Sequence, residues 1–198
     1  MNVQESRSSK VKKNILLGFG IKGISILVSL MLVPLTIDYV SSELYGIWLT
    51  ISTIVSWIGF FDVGFGNGLR NKLTEAIALN QRKKAKTLVS STYAILFLIF
   101  STVGVVLYFV SGLLNWSSII GVSPCYSEIL TTCVRLVMCS FSVQIILKVL
   151  QNVLQAHQMV ALSSAIDTVS NLFILITIWI LTKTIFPDLR ILSVVFSL

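Results

Sequence analysis

The sequence predicts an all-α fold: a polytopic transmembrane helix bundle with five complete spans and a shortened sixth. Three observations carry this reading. Hydrophobic residues fill 55% of the 198 positions and charged residues only 12%, with a mean hydropathy of +0.91; a soluble domain holds about twice that charged share. Five apolar runs are as long as the about 20 residues that a helix needs to cross hydrocarbon. The basic residues gather in two short segments beside those runs instead of spreading over a surface. Apolar surface on this scale exceeds what one small core can hide, so lipid has to cover part of it.

Residues 1–13 form a basic tail with Arg7, Lys10, Lys12 and Lys13, and the membrane region begins at residue 14. The first run, 14–36, is far longer than a signal-peptide core and no small-residue cleavage site follows it, so it reads as a retained span. Along it Gly18, Lys22, Ser25, Ser29 and Thr36 fall within a narrow arc at about 100° per residue. Pro34 removes one backbone donor near the end of that span, where it can kink the helix. The next loop carries Asp38 and Glu43 and no basic residue.

The second span, 45–65, closes in Asp62-Val-Gly-Phe-Gly-Asn-Gly. Glycines 64, 66 and 68 do not fit a nucleotide loop, since no strand precedes them and no Gly-Lys-Ser/Thr follows. They are expected to allow close helix approach and a flexible exit. Asp62 would accept hydrogen bonds at that turn or pair with Arg70.

Arg70, Lys72, Arg82, Lys83, Lys84 and Lys86 follow. The favoured reading is a solvated positive loop. The other is an amphipathic stretch along the inner membrane face, with Leu73, Ile77 and Leu79 toward lipid and the basic residues toward anionic headgroups. Two spans separate this segment from the basic tail, so both lie on one side. The loop from Leu113 to Ser127 carries no charge. The positive-inside rule therefore places the N-terminus in the cytoplasm.

Spans 88–112, 128–148 and 160–182 complete the bundle, with Lys183 and Arg190 on the outer side. The stretch 190–198 is less than half the length needed to cross. It reads as a span cut short, which makes the chain an N-terminal transmembrane lobe (14–198) whose C-terminal lobe is absent; a short re-entrant segment is the alternative.

An ionisable residue inside a span costs at least about 2.5–3.5 kcal/mol on insertion scales. Lys22, Arg135 and Asp167 are clear cases, and Asp62 lies nearer a helix end. Thr131, Arg135, Met138 and Ser142 share one helix face, as do Ser163, Asp167, Ser170 and Asn171. Three helices each present a polar stripe with one charge, which points to a common interior. There Lys22 and Arg135, with Ser25 and Ser29, would bind substrate, while Asp167 and Asp62 balance charge or couple an ion. The planar fork of arginine suits phosphate. A structural Lys22–Asp167 ion pair and ordinary small-residue helix packing compete with this reading.

Cys125, Cys133 and Cys139 lack metal spacing and read as buried inert thiols. The lone His157, in an inner loop over 151–158, has no ligand beside it. No metal and no cofactor are expected. No paired-carboxylate motif, nucleophile elbow or zinc helix is visible, so the chain is not read as an enzyme. The net charge of +7 sits at membrane flanks, which argues against nucleic acid.

The segment Pro34-Leu-Thr-Ile-Asp-Tyr-Val-Ser-Ser-Glu-Leu-Tyr-Gly-Ile-Trp, with Trp57-Ile-Gly-Phe-Phe-Asp-Val-Gly-Phe-Gly-Asn-Gly-Leu-Arg-Asn, resembles the N-terminal region of O-antigen flippases. These are the Wzx-type polysaccharide transporters of the multidrug/oligosaccharidyl-lipid/polysaccharide exporter superfamily. Gln155-Ala-His-Gln resembles that family's loop after span four. The resemblance implies two lobes, about twelve to fourteen spans in all, around a cationic cavity. It implies movement of undecaprenyl-pyrophosphate-linked oligosaccharide across the bacterial cytoplasmic (inner) membrane by alternating access. The implied partners are that lipid-linked substrate, membrane lipids, a coupling proton or sodium ion, and polysaccharide polymerase and chain-length proteins. A multidrug exporter of the same superfamily is the alternative function; a membrane-embedded glycosyltransferase or polymerase is another.

Overall fold

The computed structural model describes residues 3–58, 63–184 and 186–197. Among them are α1 (Val3–Val40), α2 (Ser42–Ile58), α3 (Val63–Ala78), α4 (Arg82–Ser111), α5 (Trp116–Ile120), α6 (Ser127–Ala156), α7 (Val160–Thr184) and α8 (Leu189–Val195), and no strand. The fold is all-α, and four helical stretches are long and apolar enough to cross a membrane: Leu16–Val40, Arg82–Ser111, Pro124–Ala156 and Val160–Thr184. Large apolar side chains stand exposed on them, such as Phe19, Leu27, Phe97 and Leu147, each more than 60% exposed. That surface suits hydrocarbon and supports a transmembrane protein. The second expected span is represented by α2, which is 17 residues long over the described residues.

Helix α6 is the hub. A third of its most apolar window is buried, against 22% for the other three long helices, because it serves two cores. One core joins Val28, Ile51, Leu130, Ile178 and Leu192, from α1, α2, α6, α7 and α8. The other joins Leu69 and Leu73 of α3, Leu96 and Phe100 of α4, and Ile145, Val149 and Ala156 of α6.

Helices α1 and α7 lie side by side and parallel. A Cβ on Gly18 would meet the Ala161 backbone at 3.8 Å, Thr168 Oγ1 donates to Ile21 O at 3.4 Å, and Tyr39 OH donates to Phe186 O at 3.4 Å. Helices α4 and α6 run antiparallel, with Gly104 against Ser142 and Gly112 against Arg135. Glycine at these positions lets the helices approach closely.

Several expected loops are shorter in the fold. The loop between the first two spans is the single residue Ser41, at φ 85°, since α1 continues through Pro34 to Val40. The inner loop over 151–158 shrinks as well: Gln151–Ala156 belongs to α6, and His157 is exposed in the turn that follows.

The basic segment is not a solvated loop but two helical stretches joined by a short turn. Its first part belongs to α3, whose Leu73 is 2% exposed against α4 and α6 instead of facing lipid. The backbone turns at 79–81, with Asn80 at φ 59°, and Arg82, Lys83, Lys84 and Lys86 begin α4, all exposed. Cations at a helix N-terminus oppose its dipole by about 0.3–1 kcal/mol. The glycines at 64, 66 and 68 are helical too, and of the three only Gly66 makes the close approach, to Asn152 of α6.

The final stretch forms α8, capped by Asp188, whose carboxylate accepts from Arg190 N at 2.8 Å. Leu189, Leu192 and Val195 are buried there. Of the three cysteines only Cys133 is buried; Cys125 and Cys139 are exposed.

Candidate functional site

An open cleft of ≈ 570 Å³ lies where α1, α6 and α7 meet. Helix α1 lends Lys22, Ser25 and Ser29; α7 lends Asp167, Ser170 and Asn171; α6 lends Gln144; and Phe196, just after α8, also lines it. The helical period explains the set. Lys22, Ser25 and Ser29 repeat at three and four residues, as do Asp167, Ser170 and Asn171, so each helix turns one polar stripe to the same side. The parallel register of α1 and α7 brings the stripes level, with Asn171 Nδ2 donating to Ser25 Oγ at 3.3 Å.

Lys22 lies six residues inside its apolar stretch and Asp167 seven residues inside its own, so both sit about 10 Å from the same end of the bundle. They are exposed, and they do not pair with each other. Among the described residues, ion pairs join Lys72 to Glu75 and Arg190 to Glu128. Asp167 Oδ1 instead accepts from Gln151 Nε2 at 2.7 Å. Ser29 Oγ donates to Ser25 O at 2.9 Å, which leaves its oxygen lone pairs toward the cleft. The lining thus offers one ammonium, one carboxylate, hydroxyls and amides: groups that can hold a polyhydroxyl ligand and one charge of either sign.

A second polar chain ties the helices together beside the cleft. Arg70 Nη1 donates to Gln155 Oε1 at 3.1 Å, and Gln155 Nε2 donates to Ser163 Oγ at 3.2 Å, linking α3, α6 and α7. Ser163 is therefore a packing residue, as is Thr36, which is fully buried and donates to Leu32 O.

The common interior expected for all three charges is not what the fold builds. Arg135 sits on the other side of α6, packed against Gly112 at the end of α4, with its guanidinium carbon 5.0 Å from the Tyr108 ring centre. Met138 is buried, and Ser142 turns toward α4. Asp62, the remaining site residue expected from the sequence, lies outside the described residues.

Gln144 and Gln151 were missed by the sequence reading, which followed charge and hydroxyl groups. Their signal was spacing: Gln144, Lys148, Gln151 and Gln155 recur at four, seven and eleven residues along α6. Lys148, placed at the edge of the fourth span by hydropathy, stands exposed eight residues inside the end of α6.

No family model, curated protein or solved structure matches this chain. The resemblance read in residues 34–72 therefore rests on those residues.

Proposed function

We propose that this chain is a lobe of a carrier that moves undecaprenyl-pyrophosphate-linked oligosaccharide across the bacterial cytoplasmic membrane, with its N-terminus in the cytoplasm. One observation carries the reading. Lys22 and Asp167 are exposed, unpaired with each other, and about 10 Å inside helices that are apolar enough to cross a membrane. Hydrocarbon is a poor cover for such groups. A water-filled cavity closed by a second lobe is a good one, and polar carrier sites of this kind lie between repeats. In this reading Lys22 attracts the pyrophosphate. Ser25, Ser29, Ser170, Asn171 and Gln144 hold sugar hydroxyls. Asp167 takes up the coupling proton or sodium ion, and the polyprenyl tail stays in lipid.

The site differs from the sequence expectation in charge. With Arg135 elsewhere, Lys22 and Asp167 balance, and the lining is not net cationic. A cationic lining would disfavour the second reading, a multidrug exporter of the same superfamily; a balanced one leaves it open, with Asp167 as the group that meets cationic drugs.

The test is complementation of a flippase-null bacterial strain by the gene, with drug sensitivity measured in parallel. Surface polysaccharide restored by the wild type and lost with Lys22→Ala supports the flippase. Drug resistance conferred without polysaccharide, and abolished by Asp167→Asn, selects the exporter. Polysaccharide restored equally by wild type, Lys22→Ala and Asp167→Asn removes the cleft from the mechanism.

A further inference from the structure

A groove of ≈ 340 Å³ runs between α4 and α6, on a different face of α6 from the polar cleft. Phe100, Val105, Tyr108 and Phe109 form one wall; Val143 and Ile146 form much of the other. Its floor is thin because Gly104 has no side chain and faces Ser142; a Cβ there would stand 2.9 Å from Ser142 Oγ. Phe109, Val143 and Val105 are more than 50% exposed along it.

Two features make this more than an apolar furrow. The first is its length. From Phe100 to Phe109 the wall extends about 13 Å along α4. That is close to half of the about 30 Å hydrocarbon core, so the groove fits the depth of one leaflet. The second is what stands at its head. Arg135 is one helical turn before Cys139, which lines the groove, and its guanidinium lies over Tyr108, which lines it too. The ring face takes up charge but no N–H donor. Arg135 Nε is buried with no hydrogen-bond partner, and the guanidinium has no carboxylate within ion-pair distance among the described residues. An unpaired cation with free donors, at the headgroup end of a chain-deep apolar groove, is complementary to an amphiphile with a phosphate head.

We propose that the α4–α6 groove binds a phosphate-headed membrane lipid, its acyl chain lying along Phe100 to Phe109 and its phosphate accepting hydrogen bonds from Arg135. The lipid belongs to the leaflet at the end of the bundle away from Arg82–Lys86, because Arg135 lies beside the C-terminal end of α4. The site stands apart from the polar cleft and holds whether or not the chain carries an oligosaccharide.

The test uses the purified full chain in dodecyl maltoside, titrated with dioleoyl phosphatidylglycerol, with bound lipid counted by native mass spectrometry. The wild type is expected to retain phosphatidylglycerol. Arg135→Gln weakens retention about tenfold, the scale of one lost charge-assisted contact. Val143→Trp fills the groove from an exposed position, leaves Arg135 in place, and weakens retention to a similar degree. Lys183→Gln, which removes an exposed cation near the same end, leaves retention unchanged. Diolein, which has the tails without the phosphate, binds about tenfold less, and inorganic phosphate does not displace the lipid. Equal retention by the wild type, Arg135→Gln and Val143→Trp overturns the proposal. So does diolein binding as well as phosphatidylglycerol, or displacement by inorganic phosphate alone.

Discussion

Gln151 of α6 donates from Nε2 to Asp167 Oδ1 of α7 across 2.7 Å, and this bond holds the carboxylate at the edge of the polar cleft. A hydrogen bond to a charged acceptor contributes about 1.5–3 kcal/mol in soluble proteins. Polar pairs between membrane helices average nearer about 0.6 kcal/mol. The lower figure applies here, since the bond is exposed. Gln151→Leu should therefore lower unfolding stability by about 1 kcal/mol or less, while impairing transport as strongly as Asp167→Asn. Thermal unfolding in detergent and complementation, read side by side, check this. A stability loss on the scale of a core truncation such as Leu130→Ala, about 2–5 kcal/mol, would make the bond structural instead.

Gly66 and Gly68 lie two residues apart on α3 and should respond in opposite directions. A Cβ on Gly66 would stand 2.6 Å from Asn152 Nδ2, whereas one on Gly68 meets nothing within 4 Å. Gly68→Ala gains helix propensity and should stabilise by up to about 1 kcal/mol. Gly66→Leu overpacks the α3–α6 contact and should destabilise by about 1–3 kcal/mol. The shift in Tm of each variant decides; two shifts of the same sign contradict the packing described.

Ser41 makes the whole turn between α1 and α2 from a left-handed backbone at φ 85°. That conformation costs a non-glycine residue about 1–2 kcal/mol. Glycine relieves the strain and loses about 0.5–1 kcal/mol to its unfolded-state entropy. Ser41→Gly should thus raise stability by up to about 1 kcal/mol, whereas Ser41→Val should lower it. A drop in Tm for the glycine variant would show that the turn is not strained.

The basic start of α4 and the loop around α5 should face opposite compartments. In a background with the exposed Cys125 and Cys139 replaced by serine, Ser118→Cys should react with an impermeant maleimide in intact cells. Lys84→Cys should react only after permeabilisation. The reverse pattern inverts the proposed orientation, and labelling of both from one side is incompatible with α4 as a crossing helix.

Much of the helical content was legible from hydropathy, because the number and length of apolar runs are local quantities. The amphipathic character of Leu73 and Ile77 was legible too, yet lipid was expected where the fold places protein. Those side chains pack in one cluster with Leu96 and Ile145, and hydropathy cannot tell a protein neighbour from lipid. Lys22, Ser25 and Ser29 of α1 and Asp167, Ser170 and Asn171 of α7 line one cleft, whereas Thr36 and Ser163 of the same stripes are buried in helix packing. The stripe on α6 was assigned from Arg135, whereas Gln144 is the residue of that helix that reaches the cleft.

From the chain alone came the helices, their apolar lengths, and the stripe of polar groups on each, because a residue's angle about its own helix axis follows from its position along the run. Which neighbour each stripe meets came only from the tertiary structure. Close approach at Gly104 and Gly112, where missing side chains make room, lets α6 dock on α4, while α7 lies along α1 at ordinary contact distance beside Gly18. Those contacts set Arg135 over Tyr108 and bring Lys22 and Asp167 into one cleft.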